Sequence, residues 1–109
     1  MVSAAVASGR IESMPVGPTI ADGLAGNLEP GSVTPEMLEA VPLVAVDDSD
    51  IRAAMRWLFV QHGLVAEGAG AAGVAAVLAS KVEQAGQLVV VISGRNIAAA
   101  RYAEILQGS

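Results

Sequence analysis

Glu67 is followed at once by Gly68, Gly70 and Gly73 in the spacing G-x-G-x-x-G, within the stretch LVAEGAGAAGVAAVLASK. Two chemistries are open to that arrangement. A glycine-rich turn that starts a helix can receive a pyrophosphate on its backbone amides. A carboxylate preceded by Leu64, Val65 and Ala66 either caps the helix start or faces a cavity that holds a polar ligand. Ser93 is the third chemically able residue. It ends an apolar run at the place where open α/β sheets bind their ligands, and its hydroxyl can donate to or accept from a ring nitrogen.

The dinucleotide reading asks for a strand before the glycines and an acid at the end of the following strand. Here the apolar run 88–92 ends in Ser93 and Gly94, Glu83 precedes it, and only Arg95 is placed to touch a phosphate. Glycine costs a helix up to ~1 kcal/mol relative to alanine, so three within a turn and a half mark a steric demand. A thin Gly/Ala helix that packs closely against its neighbours is the preferred reading, with nucleotide binding through Gly68, Gly70 and Gly73 as the alternative. The remaining polar residues suggest structure rather than chemistry. His62 is the only histidine and falls near a helix end as a cap; no second His and no Cys accompanies it to hold a metal. Asp47, Asp48 and Asp50 read as helix-start caps, and Asp22 before Gly23 as a turn residue.

These residues need positioning elements. A short Ala-rich helix is expected to end at Gly9, and residues 10–16 alternate well enough for a strand that Gly17 and Pro18 break. Residues 19–35 carry Gly23, Gly26, Pro30, Gly31 and Pro35 and should be mostly loop. Thr34, Pro35 and Glu36 start a short helix to about Ala40, and residues 43–46 form a strand. The acids at 47, 48 and 50 open a helix to about His62 with Ile51, Met55, Leu58 and Phe59 on one face, and Gly63 stops it. A second helix spans about 67–82. Residues 88–92, with four β-branched members, predict a strand buried on both faces. A last helix covers about 96–106. The order argues for an α/β class, a mostly parallel sheet with helices on its faces, as part of a three-layer sandwich. Three strands leave apolar edges exposed, so the chain is expected to be a fragment of a larger domain and to self-associate or melt at low temperature.

Composition narrows the partners. The chain has 109 residues, 53% of them hydrophobic, enough for one core, and a net charge of −5 with six scattered basic residues. No face can neutralise a nucleic-acid backbone. Cysteine is absent, so no disulfide framework forms, and the default compartment is the cytoplasm. The opening MVSAAVASGRIES lacks a basic start, and the uncharged stretch 68–80 is shorter than the ~20 residues of a membrane span. Neither export nor a membrane partner is expected.

Three ordered segments, Thr19-Ile20-Ala21-Asp22-Gly23, Glu67-Gly68-Ala69-Gly70-Ala71 and Ser93-Gly94-Arg95-Asn96, together resemble the pyridoxal-phosphate-dependent threonine/serine dehydratases of the tryptophan-synthase-β superfamily, fold type II. The resemblance covers nearly the whole chain and corresponds to the C-terminal part of that catalytic domain. It implies pyridoxal phosphate as cofactor, with Ser93 hydrogen-bonded to the pyridine nitrogen and Gly23 and Glu67 lining the cavity beside the ring. It also implies β-elimination of L-threonine or L-serine to a 2-oxo acid and ammonia. Arg95 stands where many relatives have a second glycine. In the family the Schiff-base lysine and the glycine-rich phosphate loop lie in the N-terminal half, and the divalent-cation site of some relatives would fall at or before Met1. The one lysine here, Lys81, sits about 21 Å along a continuous helix from Glu67. The expectation is a chain that is inactive alone and completed by an N-terminal half or by a homo-oligomer. The alternative is a non-catalytic α/β module that binds a partner or a nucleotide.

Overall fold

The computed structural model describes residues 19–21, 34–38, 41–83 and 86–108. In chain order these contain α1 (Thr34–Met37), α2 (Asp48–His62), α3 (Gly68–Leu78) and α4 (Ala99–Leu106). The helix expected to end at Gly9, the strand expected at 10–16 and the candidate site residue Gly23 lie outside the described residues.

α2 forms because its apolar residues repeat at helical spacing and both its ends are signalled. Ile51, Ala54, Met55 and Leu58 are buried at i, i+3, i+4 and i+7, one continuous stripe. Asp50 accepts the Asp47 N–H at 3.1 Å, the reciprocal arm of a capping box. Gly63, at φ +65°, takes the left-handed conformation and donates its N–H to the Phe59 carbonyl at 2.9 Å.

α3 is apolar all round and buries Gly68, Gly70, Ala71, Val74, Ala75 and Ala76. It was expected to reach residue 82 and ends at Leu78. The reason is local: Ser80 adopts φ +56°, the Lys81 N–H returns to the Ala76 carbonyl at 2.9 Å and the Ser80 N–H to the Val77 carbonyl at 3.1 Å. That pair of bonds is a Schellman stop, with serine where glycine is usual.

α4 starts three residues later than expected, at Ala99, because a tight turn from the Ile97 N–H to the Arg95 carbonyl, 3.0 Å, occupies the segment before it. Tyr102 and Ile105 face inward, and Arg56 of α2 donates to the Ile105 carbonyl at 3.0 Å, a cation on the carbonyl end of a helix.

The core lies where α2 is sandwiched by α3 and α4. Ile20, Ala21 and Ala66 join it from outside the helices. Its largest fully buried side chains are Met55, Leu58 and Ile105, each contributing about 1.5–3 kcal/mol by leaving water. Among the described residues no strand pairs with another. Residues 43–46 and 88–92, expected as strands, run unpaired, and Val89 and Val91, expected to be buried on both faces, are 85% and 78% exposed. A β-branched run records that a layer should cover it, and that layer is not supplied by the described residues. None of the described helices is long and apolar enough to cross a membrane.

Candidate functional site

The start of α3 is where the sequence-selected residues meet. Glu67 is the N-cap residue of α3, with φ −75° and ψ 169°, and its side chain makes no capping hydrogen bond. Its backbone N–H donates to the Gly94 carbonyl at 3.2 Å. Its carboxylate lies over the bare Cα of Gly94: a Cβ there would run into Oε1 and stand 3.0 Å from the carboxylate carbon. Gly94 also sits at φ +68°, so both its backbone conformation and its neighbour exclude a side chain.

The glycines of the G-x-G-x-x-G pattern explain how these segments come so close. A Cβ on Gly68 would run into the Ile20 carbonyl oxygen. One on Gly70 would run into the Ser93 carbonyl oxygen and stand 2.9 Å from that of Gly94. Gly73 is more relaxed, with Val90 Cγ1 at 3.0 Å from the same hypothetical atom. α3 therefore carries segment 19–21 on Gly68 and segment 93–94 on Gly70, with Glu67 between them. The bare faces of the pattern are spent on the chain's own backbone, and the pyrophosphate reading draws no support from them.

Of the site residues that the sequence suggests, Glu67 and Ser93 are thus brought to one edge of the fold; Gly23 lies outside the described residues. Glu67 is half-buried and Ser93 exposed, and neither side chain hydrogen-bonds another described residue. Beside them opens a hollow of about 420 Å³ lined by Leu64, Val65, Ile92, Gly94 and Arg95. Its walls are the chain neighbours of Glu67 and of Ser93, with the Arg95 guanidinium as the one charged group.

Other polar residues resolve differently from their sequence readings. Asp48, read as a cap, reaches across to segment 19–21: it accepts from the Thr19 hydroxyl at 2.5 Å and from the Ile20 N–H at 3.0 Å. Nothing local in the sequence distinguishes it from Asp47 and Asp50, because its partner lies 28 residues away. His62 packs edge-on against Trp57, ring centroids 4.7 Å apart, at the rim of an apolar groove. Lys81 lies past the far end of α3 from Glu67, with its Nζ 3.1 Å from Asp50 Oδ2 and 3.2 Å from the Ala45 carbonyl. Among the described residues no cluster of His, Asp or Glu could hold a metal ion.

The donor set bears on what this edge could hold. An exposed serine and a half-buried carboxylate on segments joined by the Glu67 N–H bond to Gly94, next to a largely apolar hollow, suit the nitrogen edge of a flat heteroaromatic ring. Among the described residues the edge offers no amine to hold an aldehyde, since Lys81 is engaged elsewhere.

Comparison with known proteins shows the family of the chain. The family described as pyridoxal-phosphate dependent enzyme matches residues 1–94. The chain is 44% identical over 97 residues to an L-threonine ammonia-lyase of Thermotoga maritima, covering 86% of this chain and 24% of that protein. It is 35% identical over 109 residues to the catabolic L-threonine dehydratase TdcB of Escherichia coli K12, covering 95% and 33%. Its backbone matches a crystal structure of serine racemase from Dictyostelium discoideum with a TM-score of 0.64 and 25% identity, over 87% of this chain and 31% of that one, which supports the α/β class. The chain spans about a quarter to a third of the length of these relatives. It belongs to the pyridoxal-phosphate dependent enzyme family, among relatives that are threonine dehydratases, and the cofactor of that family is pyridoxal phosphate.

Proposed function

We propose that the chain is the C-terminal portion of the catalytic domain of a threonine/serine dehydratase and presents the pyridine edge of the cofactor site. The observation that carries this reading is the convergence of the three motif segments on the start of α3, through the backbone contacts of Gly68 and Gly70 and the Glu67 N–H bond to Gly94. In the complete catalytic domain the exposed run 88–92 would become a strand of a mostly parallel sheet, and the three-layer arrangement would close over it.

Ser93 would hold the ring nitrogen through its hydroxyl. A neutral hydroxyl partner leaves that nitrogen unprotonated, which moderates electron withdrawal and suits departure of a β-hydroxyl. Glu67, placed beside Gly94, would line the ring and orient the polar atoms around it, while Leu64, Val65 and Ile92 exclude water from its apolar face. When bound, pyridoxal phosphate supplies the electron sink that acidifies the α-carbon of an amino acid. The overall reaction would be β-elimination of L-threonine or L-serine to a 2-oxo acid and ammonia. The amine that takes the α-proton and the phosphate cradle would come from an N-terminal half, in the same or a separate chain, while a homo-oligomer could cover the exposed apolar run. With Lys81 held by Asp50 and Ala45, the chain by itself is expected to be inactive. The lack of cysteine suits a cytoplasmic setting.

The test is a titration of the chain with pyridoxal phosphate, followed by visible absorption and borohydride trapping, with L-threonine and L-serine turnover assayed in the same samples. Weak reversible binding that Ser93→Ala reduces, without a trapped adduct and without turnover, is the expected result. A stable adduct on Lys81 with turnover would overturn the expected inactivity, and binding indifferent to Ser93→Ala would overturn the role of the hydroxyl.

A further inference from the structure

We propose that Asp48 is a positioning residue of the cofactor-facing edge, acting through residues 19–21 on Gly68 and so on the placement of Glu67. The inference deepens the dehydratase reading and rests on it only for the ligand.

Asp48 occupies the first turn of α2, where a carboxylate needs no more than the helix dipole to account for it. It does more than that. One oxygen accepts the Thr19 hydroxyl and the other the Ile20 N–H, while the Thr19 oxygen accepts in turn from the Ala21 N–H at 3.1 Å. Both carboxylate oxygens are therefore committed to a segment 28 and 29 residues away, and that segment is locked in one conformation. Ile20 and Ala21 are buried, so the segment is held from inside the core as well as from α2.

The locked segment is not idle. The Ile20 carbonyl lies against the bare face of Gly68, the residue directly after Glu67. If the segment moved, the first turn of α3 would lose the surface it rests on, and the Glu67 N–H bond to Gly94 would lose its support on that side. α2 is anchored in the core by fully buried Met55 and Leu58, so Asp48 transmits its position to a site it does not touch.

The test uses the whole chain and three variants, Asp48→Ala, Asp48→Asn and Thr19→Val. Thr19→Val leaves α2 untouched, so the question stays answerable if Asp48→Ala folds poorly. Amide hydrogen exchange is followed without any ligand. In Asp48→Ala the Ile20 and Glu67 amides are expected to exchange about tenfold faster, the worth of one of the two charge-assisted bonds that the substitution removes, with Met55 and Leu58 changed by less than about twofold. Thr19→Val should reproduce the pattern more weakly, and Asp48→Asn, which keeps one acceptor oxygen, should recover part of it. Pyridoxal phosphate affinity, measured by absorption, should fall in the same order. Faster exchange confined to the first turn of α2, or a Glu67 amide unmoved when that of Ile20 is freed, would overturn the proposal. The exchange pattern without any pyridoxal phosphate binding by the unaltered chain would support the positioning role and overturn the dehydratase reading, so the two fail separately.

Discussion

Gly70→Ala set beside Gly73→Ala measures how tightly α3 is pressed on the segment that carries Ser93. In an exposed helix either change would stabilise by up to ~1 kcal/mol through helix propensity alone. At Gly70 the new Cβ would overlap the Ser93 carbonyl oxygen and stand 2.7 Å from the Ser93 carbonyl carbon and 2.9 Å from the Gly94 oxygen. All three are backbone atoms, and no rotamer change relieves them. Restoring ordinary contact of about 3.4 Å with the Ser93 oxygen demands a displacement of the order of 2 Å in packed backbone, an overpacking cost of typically 1–3 kcal/mol and occasionally more. Set against the propensity gain, Gly70→Ala should destabilise by about 2 kcal/mol. At Gly73 the nearest atom is a valine methyl carbon at 3.0 Å, which moves by rotation about one bond, so Gly73→Ala should fall between neutral and ~1 kcal/mol stabilising. Urea unfolding followed by the fluorescence of Trp57 gives both values, and the melting temperature should drop by about 8–16 °C for Gly70→Ala. Equal stabilities for the two variants would refute the close approach of α3 to segment 93–94, and with it the geometry on which the candidate site rests.

Two further perturbations probe the scaffold. The Asp47 N–H first, and then Lys81, hold the Asp50 carboxyl below its ordinary range. Its contribution is present above the unfolded-state value near 3.8 and is lost as pH falls through the lower folded-state value, so Asp50→Asn should flatten the acid limb of stability below that unfolded-state value; an unchanged limb in denaturant titrations would exclude the interaction. Tyr102 is 8% exposed, its hydroxyl has no partner among the described residues, and burial pushes its phenol above the usual range. Tyr102→Phe should therefore be neutral or up to about 1 kcal/mol stabilising by calorimetry, since it removes a desolvated group and keeps the ring edge-on to Phe59; a loss above that would reveal a bond to the hydroxyl.

Local signals in the sequence were enough for the middle of the chain. The stripe of Ile51, Met55 and Leu58, the acids ahead of it and Gly63 behind it specify α2 within two residues, because helix periodicity and caps are properties of neighbours within a turn or two. Phe59, expected on the same face, is 42% exposed, with its ring T-shaped to that of Tyr102 at 6.0 Å between centroids. The end of α3 was not legible, since a serine in the left-handed conformation carries no compositional mark. The strands were legible as composition and are absent as pairing among the described residues: a strand depends on partners elsewhere, and 88–92 states a need for cover that these residues do not meet.

The sequence by itself determined which residue types are available, the three ordered segments that place the chain in its family, and the steric demand written into Gly68 and Gly70. Only the tertiary structure decided which surfaces those glycines meet, that the carboxylate of the N-cap residue Glu67 lies over Gly94 and makes no capping hydrogen bond to α3, and that Asp48, alone among three neighbouring acids, reaches Thr19 and Ile20. The physical reason is the range of the forces involved. Propensity and capping act within about four residues and can be read along the chain, whereas close packing and hydrogen bonds between residues 28 or more apart exist only once the backbone has brought them together.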